Sequence, residues 1–253
     1  MNFRELKELY LDRNEIPNIK LLEKFKFEKL EILSLKNNKI ADIKVLEKVN
    51  FKVLKELNLG YNIISDINVL EKVKFEKLKK LILNFNNISD INILEKVNFK
   101  ELKELDLSCN DISDIKVLEK VKFEKLEILN LEYNIVKEIN ILDKINFKEL
   151  KELNLSHNEI TDIKALEKAN FQGLKKLCLN NCYISDIKIL EKVKFKKLEE
   201  LDLMNNNICN IDVFKKINFK KLSYLILSNN KINKKENSEI LSFLKLKLIK
   251  FDY

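Results

Sequence analysis

Hydrophobic residues recur along this chain with a period of 24 residues. A phenylalanine opens each period, and leucines follow it at fixed distances, as in the stretch 75–83. The alternation Leu81-Ile82-Leu83 predicts a short strand, with the two leucines facing inward and the residue between them facing outward. The spacing of three between Ile91, Leu94 and Val97 predicts one or two turns of 3₁₀ or α-helix after the strand.

Polar residues also keep fixed positions in the period. An asparagine follows the strand pattern, and its amide can bond the backbone where the chain leaves the strand. We therefore expect a ladder of stacked, buried asparagines. Pairs such as Ser89-Asp90 resemble a helix N-cap. The ladder positions are Asn14, Asn38, Asn62, Asn86, Asn110, Asn134, Asn158, Asn206 and Asn230.

The period predicts one repeat array over residues 1–253, because each repeat packs only on its neighbours. We expect the opening phenylalanines to form a buried spine. The ten repeats start at Phe3, Phe27, Phe51, Phe75, Phe99, Phe123, Phe147, Phe171, Phe195 and Phe219. Residues 234–253 predict a C-terminal cap, with a helix over residues 237–244 and an alternating strand over residues 246–251. No comparable cap precedes Phe3, so self-association at this uncapped N-terminal edge is one expectation, beside truncation or an upstream domain.

These repeats resemble the leucine-rich repeat consensus L-x-x-L-x-L-x-x-N/C-x-L from Phe3 to about residue 233. Cys182 occupies the ladder position, which the consensus permits. The stretch N-x-I-x-D-I-x-x-L is similar to the repeats of bacterial internalins and of the regulatory subunit of protein phosphatase 1, although 24 residues per repeat and a phenylalanine spine differ from both. The resemblance implies an α/β fold: a right-handed leucine-rich repeat solenoid, or horseshoe. A concave parallel β-sheet would face short helices or 3₁₀ turns on the convex side.

The composition gives little sign of chemistry. The chain has one histidine, His157, and two glycines, and it has no glycine-rich phosphate loop. We therefore expect no enzyme activity, cofactor or metal site. Four cysteines are scattered among the repeats, which is typical of a reducing compartment. A cytoplasmic location is expected, or a secreted or surface location if a leader is missing from the sequence.

The net charge of +8 raises the question of where the positive charge lies. At the outward-facing strand positions, acidic residues outnumber basic ones by nine to four. The excess of lysine therefore lies elsewhere, and much of it belongs to glutamate-lysine pairs such as Glu95-Lys96, which usually form a solvated face. This distribution argues against a nucleic-acid ligand on the concave face. The absence of a run of about 18 apolar residues argues against a membrane span.

A candidate protein-binding surface lies between the strand and the ladder asparagine. The residue at this position is aromatic or histidine in several middle repeats, and it is polar at both ends of the chain. A row of such residues about 19 Å long suits a helix or loop of a protein partner with a basic or amphipathic surface. The alternative is that these side chains only stack on one another. The candidate contact residues are Tyr61, Ile82, Phe85, Glu104, Asp106, Cys109, Glu132, Tyr133, Glu152, His157 and Tyr183.

Three functions remain open at this point. The first is a non-catalytic protein-binding module that acts as an intracellular scaffold or regulatory subunit. The second is a surface or secreted adhesion or effector protein of the internalin type. The third is a structural array without a dedicated ligand.

Overall fold

The computed structural model describes residues 3–217, 219–248 and 250–253. The chain forms two compact units, Met1–Leu129 and Asn130–Tyr253. Each unit repeats the same sequence of a three-residue strand, a turn and a short 3₁₀ helix. The predicted local structure of the repeat is therefore confirmed, and the outer elements are 3₁₀ rather than α-helical. Among the helices of the described residues, none is long and apolar enough to cross a membrane.

In the first unit, parallel strands follow one another in chain order. The register is fixed by the repeat, since Leu57 lies opposite Leu33 and Leu81 lies opposite Leu57. The strands are β1 (Glu8–Tyr10), β2 (Ile32–Ser34), β3 (Glu56–Asn58), β4 (Lys80–Ile82) and β5 (Glu104–Asp106). The 3₁₀ helices are η1 (Lys20–Lys24), η2 (Lys44–Glu47), η3 (Asn68–Glu71), η4 (Asn92–Glu95) and η5 (Lys116–Glu119).

The second unit repeats this arrangement and ends in an α-helix and a last strand. Strand β6 (Ile128–Asn130) overlaps the boundary between the units. The strands that follow are β7 (Glu152–Asn154), β8 (Lys176–Cys178), β9 (Glu200–Asp202), β10 (Tyr224–Ile226) and β11 (Lys250–Asp252). The helices are η6 (Asn140–Asp143), η7 (Lys164–Glu167), η8 (Lys188–Glu191), η9 (Asp212–Lys215) and α1 (Ser238–Lys247).

The phenylalanine spine fills the core of each unit. The spine residues from Phe27 to Phe219 are buried, and in the first unit Phe75 stacks between Phe51 and Phe99, with ring centroids 6.1 and 6.4 Å apart. Phe3 is only half-buried, and its ring packs against Phe25 and Phe27. The predicted spine is thus confirmed for all repeats except the first.

The asparagine ladder joins each repeat to the next. The amide nitrogen of Asn86 donates to the carbonyl oxygens of Leu59 and Leu83, both at 3.0 Å, and its amide oxygen accepts the N–H of Ile64 at 2.9 Å. One side chain therefore satisfies backbone groups of two repeats. Seven of the nine ladder asparagines are buried, whereas Asn14 is exposed and Asn230 is half-buried, so the prediction is wrong for these two.

In six repeats, an aspartate precedes the 3₁₀ helix and holds its first turn. In the fourth repeat, the Asp90 carboxylate accepts the backbone N–H of Asn92 at 2.8 Å. The same contact recurs at Asp42, Asp66, Asp114, Asp162 and Asp186. Of the predicted Ser-Asp cap, the aspartate is the residue that makes this contact.

Glutamate-lysine ion pairs link successive 3₁₀ helices. In several repeats, the lysine that follows a 3₁₀ helix reaches back to the glutamate of the preceding helix, as in the pair Lys72–Glu47 at 3.3 Å and the pair Lys120–Glu95 at 3.2 Å. The same pairing occurs in the second unit between Lys192 and Glu167 at 3.4 Å. These pairs are solvent-exposed, so each contributes about 1 kcal/mol or less.

The C-terminal cap differs in one respect from its prediction. Helix α1 buries Ile240, Leu241 and Leu244, as expected of a cap. However, residues 246 and 247 belong to the helix, and the strand starts only at Lys250. Apolar residues at 240, 244 and 248 have the spacing of a helix, and this spacing favours a longer helix over an early strand. The backbone N–H of Leu248 accordingly donates to the carbonyl oxygen of Leu244. The expected strand residue Ile249 lies outside the described residues.

Candidate functional site

The candidate surface is built on a column of residues with left-handed backbone conformation. All ten residues between the strand and the ladder position have φ angles of 51 to 58°. Such angles are uncommon for residues other than glycine and asparagine. Asparagine occupies the column in four repeats, which is a signal that could have predicted this conformation. The column is Arg13, Asn37, Tyr61, Phe85, Cys109, Tyr133, His157, Asn181, Asn205 and Asn229.

In the first unit, this column carries an apolar cluster that we call the first aromatic patch: Tyr61, Ile63 and Phe85. The rings of Tyr61 and Phe85 stack with centroids 4.1 Å apart and planes at 14°. The Lys36 ammonium group lies 5.1 Å from the Tyr61 ring centroid. In spite of this stacking, Tyr61 remains 39% exposed, Phe85 44% and Ile63 54%. Apolar surface on this side of the first unit is therefore accessible to a ligand.

In the second unit, the second aromatic patch consists of Tyr133, Ile135, His157 and Tyr183. The rings of Tyr133 and His157 stack with centroids 3.7 Å apart and planes at 15°. Tyr133, Ile135 and Tyr183 are exposed. Tyr133, His157 and Tyr183 line a concavity of about 410 Å³, together with the amide side chains of Asn181 and Asn205.

Hydrogen bonds between repeats hold the polar side of this concavity. The amide nitrogen of Asn181 lies 3.1 Å from Nε2 of His157, and its amide oxygen accepts a hydrogen bond from Asn205 at 3.0 Å. The Asn181 amide thus joins His157 of one repeat to Asn205 of another. The second patch therefore combines exposed aromatic surface with fixed amide groups.

The predicted acidic residues are present near the patches, but several of them already have partners. In the first unit, Glu104 forms an ion pair with Lys80 at 3.1 Å. The Asp106 carboxylate accepts hydrogen bonds from both the backbone N–H and the hydroxyl of Ser108, at 3.0 and 2.7 Å. The charge of Glu104 is thus largely compensated, and Asp106 has a local structural role at the end of its strand.

In the second unit, the two predicted acidic residues differ in their surroundings. Glu132 accepts a hydrogen bond from the Asn154 side chain at 3.1 Å, whereas Glu152 is exposed. Among the other predicted contact residues, Ile82 is only 7% exposed and Cys109 is half-buried. The structure thus brings Tyr61 and Phe85 together, and likewise Tyr133, His157 and Tyr183, but it leaves little of Ile82 accessible.

Two of the four thiol groups, those of Cys178 and Cys182, are buried and have little reactivity. Burial raises the pKa of Cys178 to about 12 and the pKa of Cys182 to about 11, so both are protonated at neutral pH. Cys178, which strand alternation places on the outward side, is nevertheless only 6% exposed. The parts of the chain that the structure describes contain no group of three or more potential metal ligands. The accessible features of the candidate site are therefore aromatic surface, amides and carboxylates.

The sequence matches the family description "Leucine Rich repeats (2 copies)" over residues 28–72, 76–120, 148–192 and 172–216. Together these ranges cover more than half of the 253 residues. No curated protein sequence is significantly similar to the chain.

Three solved structures illustrate the similarity of the fold. A leucine-rich repeat protein of Leptospira interrogans matches with a TM-score of 0.80 and 27% identity, over 99% of this chain and 61% of that protein. Internalin C2 of Listeria monocytogenes matches with a TM-score of 0.63 and 25% identity, over 74% of this chain and 77% of that one. The plant peptide hormone receptor RGFR1, in complex with RGF2, has a TM-score of 0.66 and 21% identity, over 90% of this chain and 36% of the receptor. The chain thus spans less than two thirds of the Leptospira protein.

Proposed function

The chain belongs to the leucine-rich repeat family, and on this premise we propose that it is a non-catalytic protein-binding module. In each unit, the proposed docking surface for a protein partner is the aromatic patch of that unit. The observation that carries this proposal is the presence of exposed aromatic side chains on left-handed backbone residues.

The energetics of this column support a binding role. A bulky residue with positive φ costs about 1 kcal/mol or more, and asparagine tolerates the same position better in four other repeats. Ring stacking contributes about 0.5–1.5 kcal/mol per pair, which can offset much of that strain. However, stacking leaves Tyr61 and Phe85 more than one third exposed. A partner that covers these rings would remove their exposed apolar surface from water, which would stabilise the complex. Stacking between the rings alone does not bury this surface.

The surroundings of the patches define the chemistry of the partner. Exposed isoleucine and aromatic residues suit an apolar anchor. In the second unit, the carboxylates of Glu132 and Glu152 suit a basic or amphipathic rim on the partner. In the first unit, the ion pair between Lys80 and Glu104 reduces the steering that Glu104 can provide.

The cellular role has a leading form and two alternatives. The leading form is an intracellular scaffold or regulatory subunit, and it is supported by four cysteines that are all free thiols. A surface or secreted adhesion or effector protein is supported by the similarity to internalin C2. A structural array without a ligand is the simplest alternative, and it corresponds to side chains that only stack.

The test selects peptide ligands for the immobilised protein from a random displayed library. It then measures the binding kinetics of one enriched peptide. Phe85→Asn and Tyr133→Asn remove one ring from each patch and keep a residue that the column already accepts elsewhere. We expect at least one of these variants to raise the off-rate by about tenfold or more. Glu152→Lys should mainly lower the on-rate and the salt dependence.

Two substitutions of the same kind serve as controls on other surfaces. Leu21→Asn changes a residue of η1 that is 61% exposed, and Leu246→Asn changes a residue of α1 that is 90% exposed. Both should leave the off-rate unchanged. Binding that survives both aromatic substitutions and is lost in a control would place the recognition surface elsewhere. A library that yields no enriched peptide would favour the structural array.

A further inference from the structure

The second unit contains a lysine-lined hollow that differs in place and chemistry from the aromatic patches. The hollow has a volume of about 910 Å³ and lies around Gly173. Its lining includes eight lysines and two glutamates, so its surroundings are strongly positive. The lining segments 148–151 and 172–175 precede strands β7 and β8, whereas the aromatic column follows the strands. The hollow therefore lies at the opposite ends of the strands from the second aromatic patch.

The hollow lies where a regular charge pattern ends. After the opening phenylalanine, six of the first seven repeats carry one acidic and one basic residue, and the order of the two signs changes from repeat to repeat. In the first unit this alternation forms ion pairs between neighbours, such as Lys29–Glu5 and Lys125–Glu101, both at 2.6 Å. The last three repeats have instead Gln172-Gly173, Lys196-Lys197 and Lys220-Lys221. The last three repeats thus lack an acid at these two positions, whereas the lining lysines Lys175 and Lys192 keep ion pairs with Glu199 and Glu167.

A second irregularity leaves another lysine without its usual partner. The lysine after each 3₁₀ helix normally pairs with a glutamate of the preceding helix, but Asp143 occupies the glutamate position before Lys168. The aspartate is shorter by one methylene group, and among the described residues Lys168 makes no ion pair. Lys148, Lys194, Lys196 and Lys197 are likewise without an acidic partner in the described parts of the chain.

Gly173 gives the hollow its floor. A Cβ atom at this position would lie 3.1 Å from the carbonyl oxygen of Leu150 and 3.5 Å from that of Lys148. In the other repeats a side chain occupies this position, so the glycine leaves room beside backbone acceptors. The hollow thus combines lysine side chains in its lining with backbone carbonyl oxygens close to Gly173.

We propose that this hollow binds an extended acidic segment of a protein, rich in aspartate or glutamate. Carboxylates of such a segment would meet the lysines, and its backbone N–H groups could donate to the carbonyl oxygens. A nucleic acid fits less well, because phosphates carry no donor for these carbonyls. The hollow also lacks arginine, and its one aromatic lining residue, Phe171, is buried and cannot stack on a base.

The test measures the fluorescence anisotropy of a labelled peptide of about eight glutamates, which spans roughly 26 Å when extended. The measurement uses the whole chain at about 0.15 M salt, where screening over about 8 Å suppresses the effect of distant charges. The triple variant Lys194→Glu, Lys196→Glu, Lys197→Glu should weaken peptide binding by about tenfold or more. Thermal unfolding confirms that each variant is folded, and these lysines are exposed.

The matched control reverses three exposed lysines at the same repeat positions in the first unit. Lys74→Glu, Lys77→Glu and Lys100→Glu produce the same change in net charge, and the triple control should change the affinity by less than about twofold. Gly173→Lys adds a positive charge but fills the hollow, so we expect it to weaken binding. Phe85→Asn and Tyr133→Asn should leave the affinity for this peptide unchanged, which separates this site from the proposed aromatic surface.

Four results would overturn the proposal. The wild-type protein could fail to bind the peptide, or the control triple could weaken binding as much as the hollow triple, which would indicate a general charge effect. Gly173→Lys could strengthen binding, which would show that the hollow itself is not used. An oligothymidylate of equal charge could bind as tightly as the peptide or more tightly, which would identify the site as a nucleic-acid surface.

Discussion

Replacing one ladder asparagine tests what holds neighbouring repeats together. In Asn86→Ala, the N–H of Ile64 loses its acceptor, and the carbonyl oxygens of Leu59 and Leu83 each lose one of two amide donors. The Leu59 oxygen keeps the amide of Asn62 and the Leu83 oxygen keeps the amide of Asn110. All three contacts are 2.9–3.0 Å long and buried, so water cannot readily replace them.

The expected loss of stability follows from these three contacts. Each hydrogen bond contributes about 1 kcal/mol net, and a buried group left without a partner costs about 1–3 kcal/mol. The two weakened carbonyl oxygens account for about 1 kcal/mol each and the unpaired Ile64 N–H for about 1–3 kcal/mol, so we expect the free energy of unfolding to fall by about 3–5 kcal/mol. The neighbouring exposed residue provides the control, since Asn87→Ala removes no side-chain hydrogen bond among the described contacts and should change the free energy by about 0.5 kcal/mol or less.

Urea unfolding, followed by circular dichroism and by tyrosine fluorescence, measures the difference. Coincident transitions of the two probes would justify a two-state treatment, which repeat arrays do not always obey. If Asn86→Ala loses no more stability than Asn87→Ala, the ladder does not hold the repeats together and the argument is wrong.

Three further predictions follow from the core, the thiols and one carboxylate. Phe75→Ala should lower the free energy of unfolding by about 3–5 kcal/mol by opening a cavity in the spine, and an unchanged urea midpoint would contradict the assignment. Mass spectrometry of the unreduced protein should find four alkylated cysteines after denaturation, whereas the native protein should label Cys209 first and Cys178 and Cys182 slowly, because burial raises their pKa values to about 12 and about 11. The hydrogen bond from a backbone N–H lowers the pKa of Asp162 below its ordinary value of 3.8, so its stabilisation is present above that pH and is lost as the pH falls further. The stability difference between wild type and Asp162→Ala should therefore disappear in acid, and a constant difference would exclude this contact.

The repeating parts of the fold could be predicted because each position has the same environment in every repeat. Phe75 and Asn86 are examples of such positions. The same residue type recurs at these positions in many repeats, so their burial can be predicted even where one repeat alone would be ambiguous. The exceptions lie at the ends of the chain. Asn14 and Phe3 have a neighbour on one side only, and no periodic signal distinguishes them from their buried equivalents.

The candidate surfaces were harder to predict, because they depend on backbone conformation and on which side chains meet. Asn37, Asn181, Asn205 and Asn229 indicate the left-handed column. The aromatic residues at the equivalent positions do not indicate it, because such residues rarely adopt positive φ. The hollow was indicated by Gln172-Gly173, yet that pair becomes informative only when the ion pairs between equivalent positions of neighbouring repeats are known. The stacking partners of Tyr61 and Tyr133 likewise required side-chain geometry.

The strict register of 24 residues has a consequence for how such a chain can change. Within the first unit, removal of residues 51–74 would join Asn50 to Phe75, which is the junction that already occurs between Asn98 and Phe99. Asn86 would then find the Leu35 carbonyl oxygen where it now finds that of Leu59, since equivalent strands pair at equivalent residues. Length can therefore vary by loss or gain of whole 24-residue repeats, while each surviving junction stays chemically complete. Such variation would leave the spacing between neighbouring surfaces fixed and alter only how many of them the protein displays.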